Sequence, residues 1–129
     1  MRGILADINV HGQFEAVVEQ IFQSSEWTEV WADLNLTVES FHSLGLAVDA
    51  EDDLLWQACQ DQELVLFTTN RNHDGPTSLE ATILQRNTNQ SYPVITISDP
   101  QRFGIVRSYT EDAAIRMLEI LLDINNYRV

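Results

Sequence analysis

Short runs of apolar residues, separated by segments of helical periodicity, constrain the fold of this chain more than any other feature of its sequence. Residues 3–6, 64–68 and 94–97 form three such runs, and residues 37–41 are rich in types that favour strands. Continuous apolar runs, unlike alternating ones, are typical of strands buried on both faces of a parallel sheet. We therefore predict an α/β fold with three layers, α/β/α, around a central, mostly parallel sheet.

Five further segments show the apolar spacing or the capping pattern of an α-helix. They are residues 14–22, 27–34, 49–62, 77–86 and 110–123. Thr77, with Glu80 three residues later, has the capping-box pattern, and Thr110 is predicted to cap the last helix. We predict one domain over residues 1–129, because a chain of this length has little room for a second.

The composition limits the functional classes. Seven basic residues, all of them arginine, face 20 acidic residues, for a formal net charge of -13. This balance argues against sequence-independent clamping of nucleic acid, which depends on neutralising phosphates. No apolar run approaches the roughly 20 residues of a membrane span, and Asp7 interrupts the first run too early for a signal peptide. The single cysteine, Cys59, is interpreted as a core residue, and a reducing, cytoplasmic setting is expected.

Polar side chains follow three of the predicted strands, where each strand ends. They are Asp7 and Asn9 after residues 3–6, Asn70, Arg71 and Asn72 after residues 64–68, and Ser98 and Asp99 after residues 94–97. The carboxyl ends of parallel strands meet at one edge of a sheet, which is where ligand sites form in such folds. The sequence therefore predicts a functional site at this edge.

Asp7 is the strongest candidate for a site residue, because a carboxylate directly after a buried strand is unfavourable unless it is paired, hydrogen-bonded or bound to a cation. Two interpretations stay open: a ligand of Mg²⁺ or Mn²⁺, or the cap of the following helix. Glu51, Asp52 and Asp53 begin a predicted helix, where acidic residues complement the helix dipole. One of the three could instead point towards Asp7, and periodicity does not select which.

Arginine and histidine side chains are further candidates for a site. Arg71 could hold a phosphate, or it could pair with a nearby acid in so acidic a chain. The chain has three histidines, His11, His42 and His73. They lack the spacing of a zinc site, so zinc is not expected.

Three segments of the sequence resemble the PIN-like nuclease domains. Residues 4–10 are similar to the first strand of that family with its aspartate, here Asp7, and residues 52–59 are similar to its acidic helix start, which selects Asp52. Residues 64–72 look like its apolar strand and acidic loop. The resemblance implies metal-dependent cleavage of phosphodiester bonds, usually in RNA, with carboxylates that hold one or two Mg²⁺ or Mn²⁺ ions.

Carried over residue by residue, the resemblance implies roles for six positions. Catalysis and metal binding fall on Asp7, Asp52, Asn70 and Asn72, and substrate contacts fall on Asn9 and Arg71. The sequence departs from the family at the two asparagines, which stand where the family has carboxylates. Each change removes a negative charge and should weaken the binding of a divalent cation. Asp74 and Asp99 are alternative sources of the missing carboxylates.

Two hypotheses follow from this pattern. The first is a PIN-like ribonuclease that binds RNA, for example the toxin-like partner of an antitoxin. The second is a non-catalytic PIN-like module that binds a protein or a small ligand, which the asparagines and the net charge of -13 favour. A homodimer is a further expectation, from the habit of the family and from the apolar residues around Trp27 and Trp31.

Overall fold

The computed structural model of the chain describes residues 1–69, 75, 77–97, 101 and 107–127. Four strands and five α-helices lie in these residues, in the order β1 Gly3–Ala6, α1 His11–Phe22, α2 Ser25–Leu34, β2 Thr37–Glu39, α3 Asp52–Asp61, β3 Leu64–Thr68, α4 Leu79–Arg86, β4 Val94–Thr96 and α5 Arg107–Leu122. Short 3-10 helices follow β1, at Ile8–Val10, and α5, at Ile124–Tyr127. None of the helices in this part of the chain combines the length and the hydropathy that a membrane span requires.

The four strands form one parallel sheet in the order β2-β1-β3-β4. β1 is central and pairs with β2 on one side and β3 on the other, so that Ile4 lies opposite both Val38 and Val65. β4 extends the sheet beyond β3, with Leu66 opposite Val94. The prediction of a parallel sheet is confirmed. Because all four strands run the same way, their carboxyl ends share one edge.

Helices cover both faces of the sheet. On one face, Ile4 and Phe67 pack with buried side chains of α1 and α5, and partly buried residues of α2 lie against the same cluster. Phe14 of α1 meets Phe67 edge-on, with ring centroids 5.3 Å apart. On the other face, Leu5 and Leu66 pack with buried residues of α3 and α4. The predicted α/β/α architecture is thus confirmed.

The structure corrects two predicted helix caps. The cap of α4 is Ser78, whose hydroxyl accepts a hydrogen bond from the Ala81 N–H at 3.2 Å, so the prediction of Thr77 is wrong by one residue. α5 begins at Arg107, and Thr110 is a buried residue inside this helix rather than its cap. Thr77 and Ser78 are both residue types that cap helices, and it is the Ser78 hydroxyl that accepts an N–H of the first turn of α4.

The cysteine and the tryptophans of the predicted helices lie in the core or against it. Cys59 and Trp56 of α3 are buried, and Trp27 and Trp31 of α2 are partly buried against the core of the α1 face. The interpretation of Cys59 as a core residue is confirmed. The homodimer stays a prediction.

Gly3→Ala is expected to lower the free energy of unfolding by about 1–3 kcal/mol. A Cβ atom at residue 3 would overlap the carbonyl oxygen of Thr37 in the paired strand β2, and this backbone atom cannot move without opening the sheet. Gly12→Ala in α1 is the matched control, because nothing lies within 4 Å of a Cβ there. Alanine should stabilise that helix by about 0.5–1 kcal/mol. Urea unfolding checks both variants, and an unchanged midpoint for Gly3→Ala would contradict the close approach.

Candidate functional site

Asp7 lies at the end of β1 and remains paired with β3, because its N–H donates to the Phe67 carbonyl at 2.8 Å. The residue is only 8% exposed. Its Oδ2 atom accepts a hydrogen bond from the Thr68 hydroxyl at 2.9 Å, and its Oδ1 atom accepts one from the Asn9 N–H at 3.5 Å. The second contact makes Asp7 the N-cap of the 3-10 helix Ile8–Val10. The capping interpretation of Asp7 is therefore confirmed.

The ion pairs among the described residues leave the Asp7 carboxylate without a cationic partner. They are Arg2–Glu39, His11–Glu15, Arg107–Glu111 and Arg116–Glu119. A buried carboxyl group with neutral hydrogen-bond donors as its partners has oxygen atoms suited to a cation, because opposite charges attract more strongly where the dielectric is low. Capping of the 3-10 helix is therefore compatible with a second role of Asp7 as a cation ligand.

Asp52 is the first residue of α3, which begins later than the predicted residue 49. Its Oδ2 atom accepts a hydrogen bond from the Leu79 N–H at 3.2 Å, and the Asp53 N–H donates to the Thr77 carbonyl at 3.2 Å. These two bonds join the start of α3 to the start of α4. They hold the Asp52 carboxylate at the helix ends that lie beside the carboxyl edge of the sheet.

The negative charge of Asp7 acts on two side chains of α3. Burial is the largest influence on Asp52 and raises the pKa of its carboxyl; the hydrogen bond from α4 opposes this, and the charges of Asp7, Asp53 and Glu51 raise the pKa further. The pKa of the Cys59 thiol is raised to about 12, first by burial and then by the charge of Asp7. Asp52 and Cys59 are two turns apart on one face of α3. Asp7 at the end of β1 therefore lies near enough to this side of α3 for its charge to act on both side chains.

Of the other predicted site residues, the structure describes only Asn9. Asn9 is exposed and contacts Asp7 through its backbone. Outside the described residues lie Asn70, Arg71, Asn72, Asp74, Ser98 and Asp99. Within the described residues, no group of three or more histidine, cysteine, aspartate and glutamate side chains could hold a metal ion. This part of the site therefore supplies two carboxylates, and the roles of the residues outside it stay predictions.

The structure adds two features that the sequence does not predict. Thr68 ends β3 and hydrogen-bonds Asp7, but threonine is common in strands, so its position carries little signal. Beside Asp7 lies a cleft of about 260 Å³, which we call the β1–β2 cleft. The described residues that line it are Ala6, Ile8, His11, Ser40, Phe41, His42, Leu46 and Val48. His11 and His42 are far apart in sequence, which hides their proximity from sequence analysis.

No protein-family model, no curated protein and no solved structure matches the chain. The resemblance to PIN-like domains therefore stays a prediction from three short segments. The function is inferred below from the geometry around Asp7 and Asp52.

Thr68→Val keeps the shape of the side chain but removes the hydroxyl that donates to Asp7. We expect the free energy of unfolding to fall by about 1.5–3 kcal/mol, because the lost bond is made to a charged, buried acceptor. Thr82→Val is the matched control: Thr82 is also buried, and its hydroxyl donates to the neutral Ser78 carbonyl at 2.9 Å. For this control variant, the free energy of unfolding should fall by about 0.5–1.5 kcal/mol. Equal losses for the two variants in denaturant unfolding at neutral pH would contradict this account of Asp7.

Asp52→Asn is expected to stabilise the protein at neutral pH. The pKa of Asp52 is raised in the folded state, so ionisation of this carboxyl opposes folding above the folded-state pKa, and the penalty disappears below the unfolded-state pKa. The gain should be below about 1 kcal/mol, because solvent screens this partly exposed group. It should vanish near pH 3.

Asp53→Asn is the control for this prediction. The Asp53 carboxylate accepts the Leu54 N–H at 2.8 Å in the first turn of α3, where negative charge is favourable. Loss of this charge offsets the relief of repulsion at Asp52, so this variant should stabilise the protein less than Asp52→Asn does. Thermal unfolding of both variants between pH 3 and pH 8 measures the difference. A gain for Asp52→Asn that grows as the pH falls would show that the sign is wrong.

Proposed function

We propose that the chain is a metal-dependent ribonuclease of the PIN-like type, in which Asp7 and Asp52 hold Mg²⁺ or Mn²⁺. The observation that carries the proposal is the convergence of these two carboxylates. Asp7 lies at the end of β1 and Asp52 begins α3. Burial raises the pKa of Asp52 most, and the charge of Asp7 raises it further. Neighbouring like charges are unfavourable for stability unless they share a proton or a cation. Such an arrangement in a partly buried position favours a functional role over a structural one.

The donor atoms of this pair fit a hard cation that prefers oxygen. Thr68 orients Asp7 and the Leu79 N–H orients Asp52, in each case through the Oδ2 atom. The Oδ1 atoms are the candidate ligands, and that of Asp7 also accepts the Asn9 N–H at 3.5 Å. Mg²⁺ is commonly bound through one or two carboxylates while it keeps several waters. When bound, such an ion activates water and stabilises the charge of the phosphodiester transition state.

Other residues of the chain have supporting roles in this proposal. By their resemblance to the PIN-like pattern, Asn70 and Asn72 add amide oxygens to the cation site, and Arg71 and Asn9 contact the substrate. The formal net charge of -13 repels RNA. A bound cation reverses the sign of the local field, so the metal is needed for approach of the substrate as well as for chemistry.

A non-catalytic PIN-like module is the second candidate. It is favoured by the asparagines at positions 70 and 72 and by the lack of a group of three metal-binding side chains within the described residues. Such a module would bind a protein, for example an antitoxin, or a small ligand. Millimolar Mn²⁺ separates the two candidates. The nuclease predicts a rise in melting temperature, because a ligand of the folded state stabilises it, and the module predicts none.

Cleavage of a labelled pool of single-stranded RNA tests the nuclease directly. The unsubstituted protein should cleave the pool with Mn²⁺ and should be inactive with a chelator. Asp7→Asn should lower the rate by about 100-fold or more, because it removes a charge that holds the ion. Asp33→Asn, at an exposed position of α2, is the matched control and should keep full activity. Cleavage by Asp7→Asn at the unsubstituted rate, or cleavage in the chelator, would refute the proposal.

A further inference from the structure

We propose that the β1–β2 cleft binds one unpaired nucleobase of a single-stranded RNA, beside the phosphodiester bond that is cleaved at Asp7 and Asp52. The inference rests on the proposed nuclease function and specifies its substrate as an RNA with accessible bases. The position of the cleft, the chemistry of its lining and its size support the proposal.

The cleft adjoins the acidic site on the side of β2. Ala6 and Ile8, which line it, are the chain neighbours of Asp7, and consecutive Cα atoms are about 3.8 Å apart. The Asp7 carboxylate is directed to the other side, where it contacts Thr68 of β3. A base in the cleft would therefore lie next to Asp7 without competing with a cation for its carboxylate oxygens.

The lining combines apolar walls with a few polar groups, as sites for small ligands do. Phe41 is buried and forms a fixed apolar wall, whereas Ile8 and Val48 are 45% and 71% exposed. A stacked base would cover this exposed apolar surface. The imidazoles of His11 and His42 can stack on a base and can exchange hydrogen bonds with its edge.

The composition of the lining disfavours a cationic ligand. No acidic side chain is found among the described residues that line the cleft, although the chain has 20 aspartates and glutamates. A cationic ligand would therefore find no carboxylate within the cleft to neutralise it. Glu15 contacts the lining from outside, where its carboxylate lies 3.0 Å from the His11 Nε2 atom. A neutral aromatic ring is the part of an RNA that suits such a surface.

The size of the cleft limits the occupant to one ring system. Its volume of about 260 Å³ is below the roughly 300–1,000 Å³ of sites for drug-sized ligands. Double-stranded RNA is excluded, because its bases are stacked and paired within the helix. Unpaired bases can turn outward and stack on aromatic side chains, which is the usual mode of recognition of single strands.

An NMR titration with uncharged probes tests the subsite without any cleavage step. The protein, in a chelator, is titrated with adenosine, with uridine and with ribose. The imidazole signals of His11 and His42 are followed, after assignment with His11→Ala and His42→Ala. We expect both nucleosides to shift these signals at millimolar concentration and ribose to shift neither.

Two surface variants give the matched comparison. Val48→Ser should raise the Kd for the nucleosides about tenfold, because a stacked base loses an apolar contact. Leu84→Ser removes an apolar side chain of similar exposure, 79%, on α4 outside the cleft, and should leave the Kd unchanged. Both positions are exposed, so both variants should fold.

The outcomes separate this inference from the proposed nuclease. Absence of shifts, or equal shifts with ribose and nucleosides, would overturn the subsite, while Asp7-dependent cleavage of RNA could still be observed. Nucleoside binding by a protein that shows no such cleavage would overturn the placement of the base beside a scissile bond. Shifts with nucleosides alone, weakened by Val48→Ser and not by Leu84→Ser, support the subsite.

Discussion

The pairing of β1 with a neighbour on each side is the constraint on which the rest of the structure depends. Gly3 lets β2 approach β1 at one side, and on the other side the ladder between β1 and β3 continues beyond the strand to the bond from the Asp7 N–H to the Phe67 carbonyl. This register sets the Asp7 carboxylate against the Thr68 hydroxyl. A slip of one residue would turn every side chain of β1 to the opposite face and would move Asp7 away from α3. The hydrogen bonds that build the sheet therefore also build the site.

The site itself opposes the stability of the fold. Asp7 is buried, and its charge adds to the burial that raises the pKa of Asp52. Hydrogen bonds offset part of this loss of stability. The Thr68 hydroxyl donates one to Asp7, and the N-terminus of α4 donates one to Asp52. The apolar clusters on both faces of the sheet supply the stability that the acidic pair does not. In the proposed function, this loss of stability is the trade between stability and activity that is common at functional sites.

The end of β1 separates two chemical environments. Towards β3 lie the acidic pair and the hydroxyl of Thr68, and towards β2 lies a cleft of apolar walls and two imidazoles. In the proposed function the first environment takes a cation and a phosphate, and the second takes a neutral base. This division suits an acidic protein, because RNA would then approach through its uncharged part as well as through the metal ion.

Sequence patterns were sufficient to predict the alternation of strands and helices, the bounds of β1 and β3, the burial of Cys59 and the choice of Asp7 as a candidate site residue. These properties follow from local patterns: continuous apolar runs, helical spacing, and a carboxylate directly after a buried strand. The choice of Ser78 over Thr77 as the cap of α4 was seen only in the structure. The hydrogen bond between Asp7 and Thr68 and the shared cleft of His11 and His42 could be seen only in the folded chain. Contacts between residues far apart in the chain depend on strand order, register and helix packing, and no short segment of sequence encodes these.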